Sequence, residues 1–321
     1  MTTVSSWKNI FEAAASDNLE DFKYMVETQN VLPTQKNDDE QTPAHVAAES
    51  GNLNILKYLL KKEIALAAVK DLNGNTVLDL AVEKGKLAIV KYLLEDIQVD
   101  VHKTNNLRLG NTILHIAAQA GQLEVLKYIL TKKNLDPNVR NHVKQSPAFL
   151  AASNRHLDVI KYLAEECGAD MTLTDYNDDN ILYMSAPIGD LTVPMYLLDE
   201  RKIDLDVNWR DQAGETVLQR AVRYGQLEFI KYFVEQKHVD LKKALHEAIA
   251  KRNLPMIKYL VENGANSEIE RIHGLTPLDP HIIDYLNKTK RTRRSLSELF
   301  TVPRSNSLIS PTLRAEKIQQ N

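Results

Sequence analysis

The chain repeats one short stretch, Ile55-Leu56-Lys57-Tyr58-Leu59-Leu60, along most of its length. Its other clear copies are Ile89-Val90-Lys91-Tyr92-Leu93-Leu94, Val125-Leu126-Lys127-Tyr128-Ile129-Leu130, Val159-Ile160-Lys161-Tyr162-Leu163 and Phe229-Ile230-Lys231-Tyr232-Phe233-Val234. With three weaker copies included, the tyrosines are separated by 34, 34, 36, 34, 34, 36 and 27 residues, and they are Tyr24, Tyr58, Tyr92, Tyr128, Tyr162, Tyr196, Tyr232 and Tyr259. A near-constant period in the thirties indicates one supersecondary unit that is stacked many times. Apolar residues at helical spacing predict that each tyrosine packs in the core on a helix.

The composition is that of an ordinary soluble protein, with 321 residues, 43% of them hydrophobic and 26% charged. No apolar run approaches the roughly 20 residues that a membrane-spanning helix needs, so we expect no transmembrane segment. The stretch from Met1 to Ile10 lacks the features of a secretory signal. Cys167 is the single cysteine, which excludes an intramolecular disulfide. These features predict a cytoplasmic protein.

A second pattern begins sixteen residues before most of the tyrosines. Its clearest forms are Thr42-Pro43-Ala44-His45-Val46-Ala47-Ala48 and Thr112-Ile113-Leu114-His115-Ile116-Ala117-Ala118. Thr42 is suited to cap a helix, and Pro43 fits the first helical position, where no backbone donor is needed. Gly51 is suited to the left-handed conformation that ends such a helix. Between helix pairs, Asp71-Leu72-Asn73-Gly74-Asn75 supplies the residues of a turn.

Together these patterns resemble the ankyrin repeat, whose signature is Thr-Pro-Leu-His-x-Ala. The resemblance extends over roughly Trp7 to Asn287. It implies an all-α fold, an ankyrin-repeat solenoid of stacked helix pairs with projecting finger turns. The implied domains are a capping helix pair (1–36), ankyrin repeats (37–287) and a basic, serine-rich, disordered tail (288–321). Six repeats, each numbered with the finger before it, begin at Thr42, Thr76, Thr112, Ser146, Asn180 and Thr216. A seventh begins at Lys243, where the spacing is too short for a finger.

Two units depart from the pattern. In the fifth repeat, Pro187 falls late in the first helix and Pro194 inside the expected second helix. An interior proline costs about 3 kcal/mol, so we expect this repeat to be bent or locally weak. After the seventh repeat, Gly274-Leu275-Thr276-Pro277-Leu278 begins a further unit. We expect its second helix to be missing or shortened after Tyr285.

The residues suited to chemistry favour structural roles. His45 and His115 occupy the signature position, as does His246, and we interpret them as binding backbone groups of the fingers. Ligands one repeat apart would lie roughly 10 Å apart, too far to share one zinc ion. We therefore predict no metal and no cofactor. Cys167 replaces a small helix-end alanine, so we interpret it as a buried side chain rather than a nucleophile. The chain is predicted not to be an enzyme.

Binding is the expected function, because a solenoid presents a long concave surface. The resemblance places partner contacts on the fingers and at the end of each first helix. Aromatic residues and arginine gather there in the later repeats, and they favour binding hot spots. This concave patch, predicted to bind a protein, consists of Tyr176, Ile188, Trp209, Arg223 and Tyr224. In the alternative interpretation, Trp209 packs on its own finger and Tyr224 merely covers a helix end.

Two rival functions remain open. One is an enzyme or enzyme adaptor that uses the irregular fifth repeat or the tail, and the other is a structural spacer with no dedicated partner. The chain also resembles the stand-alone ankyrin effectors that intracellular bacteria deliver into host cells. That resemblance implies delivery into a host cell, although a eukaryotic scaffold or a protist protein would show the same sequence features. On one finger, Asn138 lies in a context similar to the loose motif of the oxygen-sensing asparaginyl hydroxylase, which makes it a candidate for hydroxylation.

The tail carries opposite charge from the rest of the chain. Residues 288–321 hold eight Lys or Arg and two Glu, which gives them a charge of +6 and leaves about −9 for the remainder. The interpretations are nuclear import, nucleic-acid contact, attachment to acidic lipid, a phosphorylated docking peptide, or a solvated terminus. Aromatic interleaving is absent except for Phe300, which argues against nucleic acid. The targeting run consists of Lys288, Lys290, Arg291, Arg293 and Arg294.

Overall fold

A computed structural model of the chain describes residues 9–101, 109–237, 239–265 and 280–289. Its α-helices are α1 Ile10–Ala15, α2 Leu19–Glu27, α3 Pro43–Ser50, α4 Leu53–Lys62, α5 Val77–Glu83, α6 Leu87–Glu95, α7 Ile113–Gln119, α8 Leu123–Lys133, α9 Pro147–Ser153, α10 Leu157–Glu165, α11 Ile181–Ser185, α12 Thr192–Met195, α13 Val217–Arg223, α14 Leu227–Lys237, α15 Lys242–Ala250, α16 Leu254–Glu262 and α17 280–289. Within these ranges β-structure is limited to one isolated bridge between Arg210 and Thr216. The predicted all-α fold is therefore confirmed.

The first helix of each pair packs against the first helices of its neighbours. Contacts run from α1 to α3, from α3 to α5, and onward in the same way to α15. Ala47 and Ala48 are fully buried at one such contact, where small side chains let the helices approach closely. The second helices supply larger apolar groups. Leu56 and Leu59 are fully buried on α4, and each such side chain stabilises the fold by about 2 kcal/mol.

Helix boundaries follow the predicted caps. The backbone N–H of Thr42 donates to His45 Nδ1 at 3.1 Å, which fixes the entry to α3. Pro43 begins that helix, and Gly51 ends it with a φ of +96°, in the left-handed region. Gly85 has a φ of +68°, and a Cβ there would lie 2.2 Å from Gln122 Oε1 of the next repeat. The left-handed backbone favours glycine at this turn, although Arg155 takes the corresponding position in the fourth repeat with a φ of +64°.

The repeated tyrosines form a ladder along the second helices. Five of the rings are covered by a lysine from the preceding unit, with Nζ 5.0 to 5.8 Å from the ring centroid, in the pairs Lys57–Tyr92, Lys91–Tyr128, Lys127–Tyr162, Lys161–Tyr196 and Lys258–Tyr285. Several hydroxyls also donate to a carboxylate of the preceding unit at 2.6 to 3.0 Å, as in Tyr58–Glu27, Tyr128–Glu95, Tyr196–Glu165, Tyr232–Asp199 and Tyr259–Glu235. Adjacent units are therefore joined by a cation over a ring or by a hydroxyl on an anion, and at Tyr128 and Tyr196 by both.

The ladder continues beyond the seventh repeat. Lys258 Nζ lies 5.8 Å from the centroid of the Tyr285 ring, which is the contact that joins the second helices of earlier repeats. Helix α17 therefore takes the second-helix place of a further unit, with Ile282 and Leu286 buried. The expectation that this helix is missing or shortened is wrong. Its sequence, Ile282-Ile283-Asp284-Tyr285-Leu286, is itself a copy of the repeated stretch with aspartate in place of lysine.

The fifth repeat is irregular, as predicted. Helix α11 ends at Ser185, two residues before Pro187, and α12 continues into a π-helical turn from Tyr196 to Glu200. Pro194 is the third residue of α12, within its first turn. Backbone N–H groups have no intrahelical acceptor there, so the proline removes no hydrogen bond and the expected cost of an interior proline does not arise.

We expect Tyr128→Phe to lower the free energy of unfolding by about 1 kcal/mol, because it removes a hydrogen bond from a half-buried hydroxyl to Glu95. Burial, assisted by that bond, raises the pKa of Tyr128 to about 12. Tyr92→Phe is the matched control, since its hydroxyl makes no hydrogen bond to a carboxylate within the described residues. Urea unfolding of the full chain measures both, and equal losses would contradict the proposed contribution of the carboxylates.

Candidate partner-binding surface

The fifth and sixth fingers are short turns closed by their own first residue. Asp175 Oδ1 accepts the backbone N–H groups of Asn177 and Asp179 at 2.8 and 3.1 Å. In the same way Asp211 Oδ1 accepts the N–H of Glu215 at 2.7 Å. Neighbouring fingers are also joined through the backbone, since Gln212 N donates to Asn177 O at 2.9 Å. The two turns thus have fixed shapes and a direct connection.

The aromatic residues of the concave patch are exposed. Tyr176 is 61% exposed at the start of the fifth finger, Trp209 is 39% exposed just before the sixth, and Tyr224 is 58% exposed at the end of α13. The indole N–H of Trp209 donates to Asp178 O at 2.7 Å. This hydrogen bond therefore orients Trp209 on the preceding finger, the fifth, rather than on its own finger, the sixth. Its side chain remains partly exposed.

The remaining patch residues lie at the opposite ends of the first helices. Arg223 Nη2 lies 2.7 Å from Glu215 Oε1, and Arg223 Nε lies 3.3 Å from Glu247 Oε1, yet the Arg223 side chain stays 44% exposed. Ile188 is half-buried. It occupies the position in the fifth repeat that Tyr224 occupies in the sixth. The patch thus has a finger end, with Tyr176 and Trp209, and a helix end, with Ile188, Arg223 and Tyr224.

Between these ends lies a buried charged cluster that the sequence analysis missed. Arg220 Nη1 is 2.7 Å from Asp179 Oδ2, Arg220 Nη2 is 3.4 Å from Asp211 Oδ2, and Arg220 Nε is 3.7 Å from Glu215 Oε2. The guanidinium carbon lies 4.8 Å from the centroid of the Tyr183 ring. We refer to these five residues as the Arg220 cluster. Burial raises the pKa of both Asp179 and Glu215, against the opposing effect of the nearby arginines.

Tyr183 connects the cluster to the finger that carries Trp209. Its ring is fully buried, and its hydroxyl lies 2.8 Å from Trp209 O and 2.5 Å from Glu215 O. Tyr183 therefore reaches both ends of the sixth finger. It takes the place that His45 and His115 have in their repeats, three residues after the helix cap.

The signature histidines bind backbone groups, as predicted. His45 Nε2 lies 3.1 Å from Val69 O, and His115 Nε2 lies 2.9 Å from Gln145 O in the next finger. Burial lowers the pKa of both imidazoles. His246, in contrast, is exposed. Nowhere in the described ranges do three or more His, Cys, Asp or Glu side chains form a group that could hold a metal ion.

Cys167 is half-buried rather than fully buried. Burial raises the pKa of its thiol, whereas a nucleophilic cysteine needs a lowered one. The thiol is therefore not activated.

Asn138 is part of a contact between units. Its Oδ1 accepts the backbone N–H of Asp170 at 2.8 Å, and the side chain is half-buried. Asn208 makes the same bond to Asp240 N at 2.8 Å. The asparagine thus has a structural role in this turn, and its hydroxylation stays a prediction.

Of the predicted targeting run, the structure describes Lys288, whose Nζ lies 2.7 Å from Asp284 Oδ2 on the same helix. Lys290, Arg291, Arg293 and Arg294 lie outside the described residues, as does the remainder of the tail. Among the described helices, none combines the length and the apolar composition required to cross a membrane.

Comparison with known families identifies the class of protein. The family model "Ankyrin repeats (3 copies)" matches residues 10–105, 97–175, 148–243 and 182–273, which together extend over most of the chain. The chain therefore belongs to the ankyrin-repeat family, as the sequence patterns and the stacked helix pairs indicate. Repeats of this family form protein–protein interaction modules.

Two curated relatives share shorter segments. BRCA1-associated RING domain protein 1 of Caenorhabditis elegans is 33% identical over 104 residues, which is 29% of this chain and 15% of that protein. Alpha-latrocrustotoxin-Lt1a of Latrodectus tredecimguttatus is 38% identical over 74 residues, which is 22% of this chain and 5% of the toxin. In both cases the similarity spans only a small part of the relative's length.

Asp79 takes the signature position of the second repeat and provides a pH-dependent test. It is 1% exposed, and its Oδ2 accepts hydrogen bonds from Thr76 N at 2.6 Å and Thr76 Oγ1 at 2.7 Å. Burial raises the pKa of its carboxyl from 3.8 to about 6. Because the folded state holds this proton more tightly than the unfolded state, ionisation destabilises the fold as the pH rises from about 4 to about 6.

We expect Asp79→Asn to be more stable than the parent protein by an amount that grows over this pH range, reaching on the order of 3 kcal/mol above pH 6. The asparagine oxygen still accepts from Thr76, and it carries no charge. Unfolding free energies measured from pH 4 to pH 7 test this, with the exposed Asp158→Asn as control. A difference that does not change with pH would contradict the assignment.

Proposed function

We propose that this ankyrin module is a non-enzymatic, cytoplasmic scaffold that binds a protein partner through the concave patch. The main observation in support is that three exposed aromatic side chains, Tyr176, Trp209 and Tyr224, lie on two successive repeats. Aromatic residues and arginine contribute most of the binding energy in protein interfaces. Arg223 fits this role because two carboxylates orient it while nearly half of it remains exposed.

The mechanism is the presentation of a preformed surface. Trp209 and Arg223 are both held by hydrogen bonds or ion pairs in the absence of a partner. Little side-chain freedom is then lost on binding, which favours affinity. A specific complex on this surface would bury roughly 1,200–2,000 Å² in total.

The tail is proposed to serve targeting, through contact with import machinery or acidic lipid. Delivery of the protein into a host cell rests on the resemblance to bacterial effectors. The rival proposal is an enzyme or enzyme adaptor that uses the fifth repeat or the tail. The charged residue that the fifth finger contributes to the Arg220 cluster, Asp179, is buried and paired with Arg220, which favours a structural role.

The partner is identified by placing a photo-crosslinking amino acid at position 176 and comparing it with the same group at position 24. Tyr24 is 41% exposed on the second helix of the capping unit, outside the concave patch. A partner that crosslinks at 176 and not at 24 binds the patch. Equal crosslinking at both positions would contradict the proposal.

We expect Trp209→Ala to weaken binding of that partner by about 2 kcal/mol, or roughly 30-fold, because it removes a central aromatic contact. Tyr24→Ala is the matched control, since it truncates an aromatic side chain of the same exposure, 41% against 39%. Calorimetric titration of the full chain measures both affinities. An unchanged affinity for Trp209→Ala, or an equal loss in the control, would exclude Trp209 from the site.

A further inference from the structure

In the earlier repeats, the position that corresponds to Arg220 holds an apolar residue. It follows the signature position, and the corresponding residues are Val46, Leu80, Ile116, Leu150 and Met184. In the sixth repeat an arginine takes this place, and its side chain is only 18% exposed. A buried charge at a position that packs apolar side chains elsewhere requires specific partners.

Those partners belong to two different fingers. Asp179 is the last residue of the fifth finger, whereas Asp211 and Glu215 are the first and last residues of the sixth. A single guanidinium therefore connects the turn that carries Tyr176 with the turn that follows Trp209. The face of the guanidinium packs on Tyr183, whose hydroxyl reaches Trp209 O and Glu215 O.

We infer that Arg220 is the positioning residue of the concave patch, which holds the fifth and sixth fingers in the orientation that presents Tyr176 and Trp209 to a protein partner. This inference rests on the proposed function, and it assigns a role to a residue that is itself nearly buried. Buried ion pairs contribute little net stability, and their best-attested role is to select one arrangement among several. Five planar N–H donors suit arginine to bind several carboxylates at once.

The fourth finger provides an internal control. Its Gln145 N donates to Asn141 Oδ1 at 2.9 Å, the same bond that Glu215 N makes to Asp211. Its His142 N donates to Leu109 O at 2.7 Å, as Gln212 N does to Asn177 O. The fourth finger thus has equivalent backbone bonds, with the apolar Leu150 in place of arginine.

The test is amide hydrogen exchange on the full-length Arg220→Met variant, which introduces the residue present in the fifth repeat as Met184. We expect exchange of the Gln212 and Glu215 amides to rise about tenfold or more, because three carboxylates are left without their shared cation. Exchange of the Gln145 amide should change less than about twofold. When Arg220→Met is introduced into a protein that already carries Trp7→Phe, quenching of Trp209 fluorescence by acrylamide should rise about twofold over the protein with Trp7→Phe alone.

Arg220→Met combined with Asp179→Asn reduces the repulsion among the remaining carboxylates, and it serves as the second variant if the single one fails to fold. It should show the same finger-specific exchange. Unchanged exchange at Gln212 and Glu215, or an equal rise in the fourth, fifth and sixth fingers, would overturn the inference, because Arg220 would then be a general stabilising residue. This measurement needs no partner, so it can contradict the role of Arg220 without contradicting the proposed function. The proposed function is tested separately by the affinity of the Trp209→Ala variant.

Discussion

The structure depends on contact between successive units, because a single helix pair leaves one apolar face uncovered. Two sets of contacts meet this requirement, one between first helices and one between second helices. Small residues such as Ala47 and Ala48 let the first helices pack closely. Between second helices, a lysine and a carboxylate of one unit bind the ring and the hydroxyl of the next tyrosine, as Lys91 and Glu95 bind Tyr128. Both sets act between adjacent units only.

The contacts change at the junction of the fifth and sixth repeats. Met195 stands where most other copies of the repeated stretch have lysine, while the hydroxyl of Tyr232 still donates to Asp199 of the fifth repeat at 2.8 Å. At the same junction Arg220, on the first helix α13, introduces charged contacts to two fingers. Among the described units, the fifth repeat also has the shortest first helix, and its second helix continues into a π-helical turn. The irregular unit and the concave patch therefore occupy the same part of the molecule, and the ion pairs there hold the fingers at the junction where Met195 replaces lysine.

The repeated sequence predicted the architecture well, because helix caps, turns and apolar spacing are local and recur in phase. Thr42, Pro43 and Gly51 each have the role that their residue types imply. The Arg220 cluster was missed because its members lie up to 41 residues apart, and ion pairing over that distance leaves no periodic signal. One signal was available, since arginine breaks a column of apolar residues. The helix containing Tyr285 was overlooked because aspartate replaces the lysine of the repeated stretch.

The tyrosine ladder also has a direction. Where a ring is covered from another unit, the lysine belongs to the unit before it, as Lys91 covers Tyr128. Tyr24, in the capping unit at the start of the ladder, is more exposed than the tyrosines that follow. A complete unit carries one donor lysine and one acceptor ring at fixed positions. If a whole unit in the regular part of the array were duplicated or lost, the lysine of one unit would therefore still lie next to the tyrosine ring of the following unit. Because the contact always has the same direction, evolution can lengthen or shorten the binding surface by whole units without changing the residues between adjacent units.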